Sequence, residues 1–349
     1  MKHSNKSLMH ILGISILLSM SSNSFAELIM DASGGAGQAA LSWSSEDANQ
    51  LLNGDVSSAD GLSPQGSTKI TTSVRSSTAV TAQPAPKSVQ ILSNSGYSNQ
   101  PSVNARAALV MDSQTGEVLY SKNSNAALPI ASITKLMTAV VIADARLNMS
   151  EEITLQQIDF AGAGGKNSSS TLRAGDSMNR AEALLFALMK SENPAAAALA
   201  RTYPGGRSAF VSAMNAKAKS LGMNSAHYVE STGLDPRNIA SARDLGILVS
   251  AAYQYGLIRQ FSTTPSYDFN LGYRVLKSNN TNALVRNGGW NINISKTGFI
   301  NEAGRCVVMH TTLNNRPAVV VLLGANSSQS RTADATRLMG WVTQLPKRI

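Results

Sequence analysis

Apolar residues gather into short, regular blocks only after about residue 104. Ala108-Leu-Val-Met111 and Val118-Leu-Tyr120 are apolar runs joined by the turn residues Asp112-Ser-Gln-Thr-Gly116, and they predict a hairpin. From Ser132 the apolar positions Ile133, Leu136, Met137, Val140 and Val141 recur every three or four residues. This spacing predicts a helix that starts at Ser132 with one apolar side. Helical patterns follow at 180–190, 194–202, 207–220 and 242–254, separated by Gly and Pro breaks. The texture changes at Tyr267. Tyr267–Leu276, Trp290–Lys296, Arg305–Leu313 and Ala318–Leu323 read as strands, with turns at Gly288-Gly289, Asn301–Gly304 and Asn314–Pro317. A last amphipathic helix runs from about Ser330 to Leu345. Strands, helices, strands, helix is the order of an α+β layered domain over 102–349. Its antiparallel sheet is closed by elements from both chain ends, and a helical subdomain (about 136–260) is inserted between them.

The first hundred residues have another character. Lys2 and Lys6 precede the apolar stretch Leu8–Met20, and Ser24-Phe-Ala26 supplies small residues at the positions a signal peptidase reads. Residues 1–26 are therefore read as a cleaved signal peptide. Residues 27–101 are rich in Ser, Thr, Gly, Ala, Asn and Gln, with two aromatics, Trp43 and Tyr97, and the breaker Pro84-Ala-Pro86. They cannot bury enough apolar surface to offset chain entropy and are read as a disordered spacer. Within them, Leu41–Leu52 is compatible with a short helix. No later segment reaches membrane length. An exported chain can form disulfides, but Cys306 is the single cysteine and no bridge can close within the chain. Its run Cys-Val-Val-Met points to a buried strand thiol.

The formal charge of +9 is unevenly spread. Lys2 and Lys6 sit in the leader, residues 27–101 carry six acidic against three basic residues, and the remainder holds +10. Such a domain suits an acidic polymer. The basic residues form no runs and no nucleic-acid motif is present, so nucleic acid is set aside.

Three short motifs carry the candidate chemistry. Ser132 and Lys135 stand at i and i+3, one turn apart on one helical face. The free N–H groups at a helix start favour developing negative charge at Ser132. Lys135 can act as its base only when neutral, which requires burial or a nearby positive charge; Lys296 is a candidate for that charge. Ser191-Glu-Asn193 falls between two helical patterns. Ser191 is placed to relay a proton and Asn193 to bind a substrate amide. Lys296-Thr297-Gly298 ends an alternating strand. Lys296 and Thr297 can bind a carboxylate, Gly298 lets another chain approach the strand edge, and a peptide can add there as a further strand. The N–H groups of Phe299 and Ser132 form a candidate oxyanion hole. Each motif alone has a plain structural reading: a capped helix, a connector, a strand entering a turn. Their conjunction, each on a fitting element, argues for nucleophilic catalysis.

Other mechanisms fail on inventory. After the leader only His227 and His310 remain, with no Gly-x-Ser-x-Gly elbow and no His-Glu-x-x-His. Gly162-Ala-Gly-Gly-Lys166 lacks the residues of a phosphate loop and reads as a surface loop. No deacylating Glu in a Glu-x-x-Leu-Asn setting follows the second motif.

The surroundings of these motifs resemble the low-molecular-mass serine D-alanyl-D-alanine peptidases, penicillin-recognising enzymes of the bacterial cell wall. The resemblance covers roughly residues 105–345. It rests on Pro129-Ile-Ala-Ser-Ile-Thr-Lys135, Leu188-Met-Lys-Ser-Glu-Asn193, Ser231-Thr-Gly-Leu234, Ala242-Arg-Asp244 and Lys296-Thr-Gly-Phe-Ile-Asn-Glu-Ala-Gly304. It implies a five-stranded antiparallel sheet with helices on both faces, and a site between the sheet and the helical subdomain. It implies that Ser132 is the acylated nucleophile and Lys135 its base, with Ser191, Asn193 and Lys296 completing the site. Arg243 matches a second arginine of the family and is a substrate-binding candidate. No metal or cofactor is implied. The implied partners are peptidoglycan stem peptides and β-lactam antibiotics, and the implied compartment is the periplasm. Two departures bear on specificity. Family carboxypeptidases often carry an Arg soon after the last strand, whereas Gly324-Ala-Asn-Ser-Ser328 has none and Arg331 comes later. The C-terminal β domain and membrane helix of anchored carboxypeptidases are also missing. Both favour an endopeptidase of peptide crosslinks, with a carboxypeptidase or a non-catalytic cell-wall scaffold as the alternatives.

Overall fold

A computed structural model describes residue 97 and residues 99–162 and 170–346. The segments read as a signal peptide (1–26) and as a spacer (27–101, with its Leu41–Leu52 patch), apart from residues 97 and 99–101, and most of the loop 162–166 lie outside the described residues. Within them the chain order is β1 (Ala107–Asp112), β2 (Val118–Lys122), β3 (Leu128–Pro129), α1 (Thr134–Asp144), β4 (Glu152–Thr154), β5 (Ser177–Asn179), α2 (Arg180–Leu185), α3 (Asn193–Arg201) and α4 (Gly206–Leu221). It continues with β6 (Ile239–Ala240), α5 (Ala242–Ala252), α6 (Gly256–Thr263), β7 (Ser266–Asn270), β8 (Val275–Asn279), α7 (Ala283–Asn287), β9 (Asn291–Ile300), β10 (Gly304–Leu313), β11 (Arg316–Ala325) and α8 (Ser328–Thr343).

The main sheet has five antiparallel strands in the order β2-β1-β11-β10-β9. The hairpin from the start of the domain thus pairs with the last strand, and both chain ends close the sheet as expected. Both faces are buried, which is why β1 and β11 read as unbroken apolar runs rather than alternating ones. Leu109, Met111, Val319 and Val321 face the helical block, and Ala108, Val110, Val320 and Leu322 face α8 through Leu338, Met339 and Trp341. The edge of α8 also receives Tyr97, whose ring lies 6.2 Å from that of Trp341 and whose hydroxyl donates to Glu117 Oε1. The packed domain therefore begins before the boundary that composition placed at 101.

Helix α1 departs from its predicted one-sided stripe. Thr134 through Ala143 are all buried, so the helix runs through the core. Burying Leu136, Met137 and Val140 contributes roughly 1.5–3 kcal/mol each, which offsets the cost of carrying Lys135 inside. Ser132 lies not in this helix but in a single 3₁₀ turn, Ala131–Ile133, just before it. The pattern at 180–190 also divides: α2 passes into a π-helical turn, Phe186–Lys190, that ends at Ser191. Tyr267–Leu276 is not one strand of the main sheet. It spans β7, a turn at Gly272 (φ +82°) and the start of β8, a separate two-stranded sheet. The short pairs β3–β6 and β4–β5 were not foreseen.

Candidate active site

The nucleophile turn is held in a conformation its sequence does not favour. Ala131 has φ +49°, a left-handed backbone costing an ordinary residue roughly 1–2 kcal/mol. Two glycines hold it by close backbone approach. A Cβ on Gly233 (φ +84°) would lie 1.9 Å from Ala131 O, and one on Gly298 would lie 3.0 Å from both Ile130 O and the Ser132 nitrogen. Asn238, fully buried, adds hydrogen bonds on both sides of the turn. Its carbonyl accepts from the Ile130 N–H (3.1 Å) and its Nδ2 donates to Thr134 Oγ1 (3.1 Å).

Lys135 is fully buried one turn further on, with its Nζ 2.9 Å from Ser132 Oγ. The same nitrogen donates to Asn193 Oδ1 (2.5 Å) and to the Thr232 carbonyl (2.7 Å). A neutral amine has two N–H bonds and one lone pair. The two carbonyl-type acceptors take the N–H bonds, which turns the lone pair toward the Ser132 hydroxyl. Burial lowers the Lys135 pKa to about 7, against the opposing pull of Glu230 and Glu192. The depressing influence is thus burial; Lys296, the charge expected from sequence to do this, is itself depressed well below the ordinary lysine value. Burial is again the main cause, with the charges of Lys135 and Arg331 adding to it.

Ser191 ends the π-helical turn in the left-handed region (φ +66°), which swings its side chain out of the helix. Its Oγ accepts from Lys296 Nζ at 2.8 Å, and the same nitrogen donates to the Thr297 carbonyl at 2.9 Å. Asn193, two residues later, accepts from Lys135 Nζ. Glu192 between them is buried and points away, accepting from Ser170 Oγ (2.5 Å) and Thr171 Oγ1 (2.7 Å).

Lys296-Thr297-Gly298 lies in the middle of β9 rather than at its end, because the strand continues to Ile300. Thr297 Oγ1 donates to Thr281 Oγ1 (2.7 Å). Phe299 is 44% exposed, with the Arg305 guanidinium 3.6 Å from its ring centre. Cys306 is buried opposite Gly298, as its apolar run implied, and burial pushes its thiol up to about 11. Ser132, Lys135, Ser191, Asn193, Lys296 and Gly298 are therefore brought together. Arg243 is not part of these contacts; at the start of α5 its backbone N–H donates to Ser124 O.

Residues 94–327 match the D-alanyl-D-alanine carboxypeptidase family model. The chain belongs to that family. It is 46% identical to the D-alanyl-D-alanine endopeptidase of Pseudomonas aeruginosa over 272 residues, 76% of this chain and 83% of that one. It is 44% identical to the enzyme of the same name from Escherichia coli over 261 residues, 74% of this chain and 83% of that one. Among solved structures, a Streptomyces DD-transpeptidase is similar with a TM-score of 0.64 and 27% identity, over 70% of this chain and 98% of that one. A penicillin-binding protein homologue from Mycobacterium tuberculosis gives 0.66 and 25%, over 74% and 98%. Membership makes this chain a serine-type D-alanyl-D-alanine peptidase, and its five-stranded α+β architecture is the family's.

Four contributors escaped the motif reading. Thr232 and Asn238 act through hydrogen bonds spanning 97–104 residues to Lys135 and Thr134, Glu230 acts through its bonds to the Thr232 and Gly233 amides and to Asn238, and no local spacing announces them. The fourth is Arg331. It lies beyond the arginine-free stretch Gly324–Ser328, is buried in the first turn of α8, and its charge adds to the lowering of the Lys296 pKa.

Proposed function

We propose that the chain is an exported endopeptidase that cuts D-alanyl crosslinks between peptidoglycan stem peptides through an acyl-enzyme on Ser132. Its place of work is the periplasm, reached through the signal peptide of residues 1–26. One observation carries the reading: the buried Lys135 amine sits 2.9 Å from Ser132 Oγ, with its remaining hydrogen-bonding capacity already taken up. Ser132 Oγ attacks the D-alanyl carbonyl as its proton passes to Lys135. The Ser132 and Phe299 N–H groups hold the developing oxyanion. The proton taken by Lys135 passes by way of the Lys296–Ser191 pair to the leaving amine as the amide C–N bond breaks, which leaves Lys135 neutral again. Water, deprotonated by Lys135, then attacks the ester and returns the proton to Ser132. Asn193 and the β9 backbone hold the peptide, and Lys296 and Thr297 hold its carboxylate or that of a β-lactam.

A penicillin should follow the same route and stop at the acyl-enzyme. Labelling the mature protein with a fluorescent penicillin and mapping the modified peptide tests this. The expected adduct is on Ser132 and is lost in Ser132→Ala; an adduct elsewhere, or one that persists in the variant, sinks the mechanism. A carboxypeptidase is the second reading, and the match to a family model described by that activity favours it.

A further inference from the structure

We propose that Glu230 is a positioning residue for Lys135, fixing the peptide unit between Thr232 and Gly233 so that the Thr232 carbonyl faces the lysine amine. The inference rests on the roles given to Ser132 and Lys135 above. The Glu230 carboxylate accepts the Thr232 N–H at 2.5 Å and the Gly233 N–H at 2.6 Å. The Gly233 N–H and the Thr232 C=O belong to one planar trans unit, so they point in opposite directions. With the N–H held by Glu230, the C=O is aimed the other way, where it accepts from Lys135 Nζ at 2.7 Å. Carboxylate, peptide unit and amine thus form one hydrogen-bonded line, and the anion polarises the carbonyl toward the amine.

Two further contacts tie Glu230 to the nucleophile. Asn238 Nδ2 donates to Glu230 Oε1 (2.9 Å) and to Thr134 Oγ1 (3.1 Å), bracing the carboxylate against the residue before Lys135. Gly233, held by the same carboxylate, presses against Ala131 and the Ser132 nitrogen. One side chain therefore sets the amine and supports the turn that carries the hydroxyl. The charged groups around Lys135 are Glu230, Glu192 and Lys296. Of the two anions, Glu192 bonds the Ser170 and Thr171 hydroxyls instead.

The test follows penicillin acylation of the mature protein against pH, with rate and half-saturation separated, in wild type, Glu230→Gln and Glu230→Asp. Glu230→Gln should lower the plateau acylation rate by about tenfold or more while half-saturation holds. It should also move the acid midpoint below the wild-type value, because removing an anion disfavours the protonated lysine. Glu230→Asp keeps the charge with a shorter reach, so its midpoint should stay and its rate should fall. A folded Glu230→Gln protein with wild-type midpoint and rate overturns the proposal. Should that variant not fold, Glu230→Asp decides: a wild-type rate overturns the proposal and a reduced rate at unchanged midpoint supports it. Mapping the wild-type adduct separates the two levels, since an adduct away from Ser132 refutes the mechanism itself.

Discussion

The base of this site is a lysine whose usefulness depends on being deprived of water. An exposed lysine stays protonated near neutrality and has no lone pair to offer. Lys135 is fully buried, and its pKa is lowered to about 7. The amine must be neutral to accept the Ser132 proton, so acylation should rise with pH through a midpoint near 7 and level off above it. Below the midpoint the rate should fall about tenfold per pH unit. Second-order acylation rates between pH 5.5 and 9 check this; a midpoint near the ordinary lysine value would show that Lys135 is not the base. The Ser-x-x-Lys spacing was legible because both residues lie within one turn of chain. That the lysine is buried was not, because Thr134, Lys135 and Thr138 are polar positions on a helix the periodicity showed as half exposed. Their partners, Asn238, Thr232 and Ser231, arrive from the far end of the helical block.

At the scale of elements, the site is made by a strand pressing on a turn. Gly298 was read as permitting close approach, and the approaching chain is the protein's own nucleophile turn. Gly298→Ala would place a Cβ 3.0 Å from Ile130 O and Ser132 N and 3.2 Å from Ala131 Cβ. The strand or the turn must give by a few tenths of an ångström. The expected result is a loss of about 1–3 kcal/mol in stability with a larger loss in acylation, about 10–100-fold, because the hydroxyl and the oxyanion donor move together. Gly233→Ala should be worse in both measures, since its Cβ would fall 1.9 Å from Ala131 O at a backbone angle that disfavours any side chain. Thermal unfolding alongside acylation kinetics checks the order; a Gly298→Ala protein that acylates at the wild-type rate refutes the packing argument. The strand pattern located β9 correctly but stopped it at Lys296, because Thr-Gly resembles a turn. Only its ladder with β10, from Asn291 to Ile300, shows the strand continuing.

For the whole molecule the question is which bond is cut. The sequence argued for crosslinks in part from the arginine-free stretch Gly324–Ser328 after the last strand. Three other features favour crosslinks. The relatives 44–46% identical over about three quarters of the chain carry the name endopeptidase. Strand β9 is the outer strand of the sheet; its Ser295 N–H is taken by Ser262 Oγ, while Phe299 further along is exposed and flanked by Arg305. A continuing peptide with acidic groups can therefore lie along Lys296–Phe299 and past the end of the strand, where a short terminal residue gains nothing. The +10 of residues 102–349 also suits an acidic polymer rather than a small free peptide. Incubation with purified peptidoglycan should then convert crosslinked dimers to monomers faster than pentapeptides lose their terminal D-Ala. Chromatography of the digests decides between the readings: dimers converted to monomers support the endopeptidase, and shortened pentapeptides beside intact dimers would make the enzyme a carboxypeptidase.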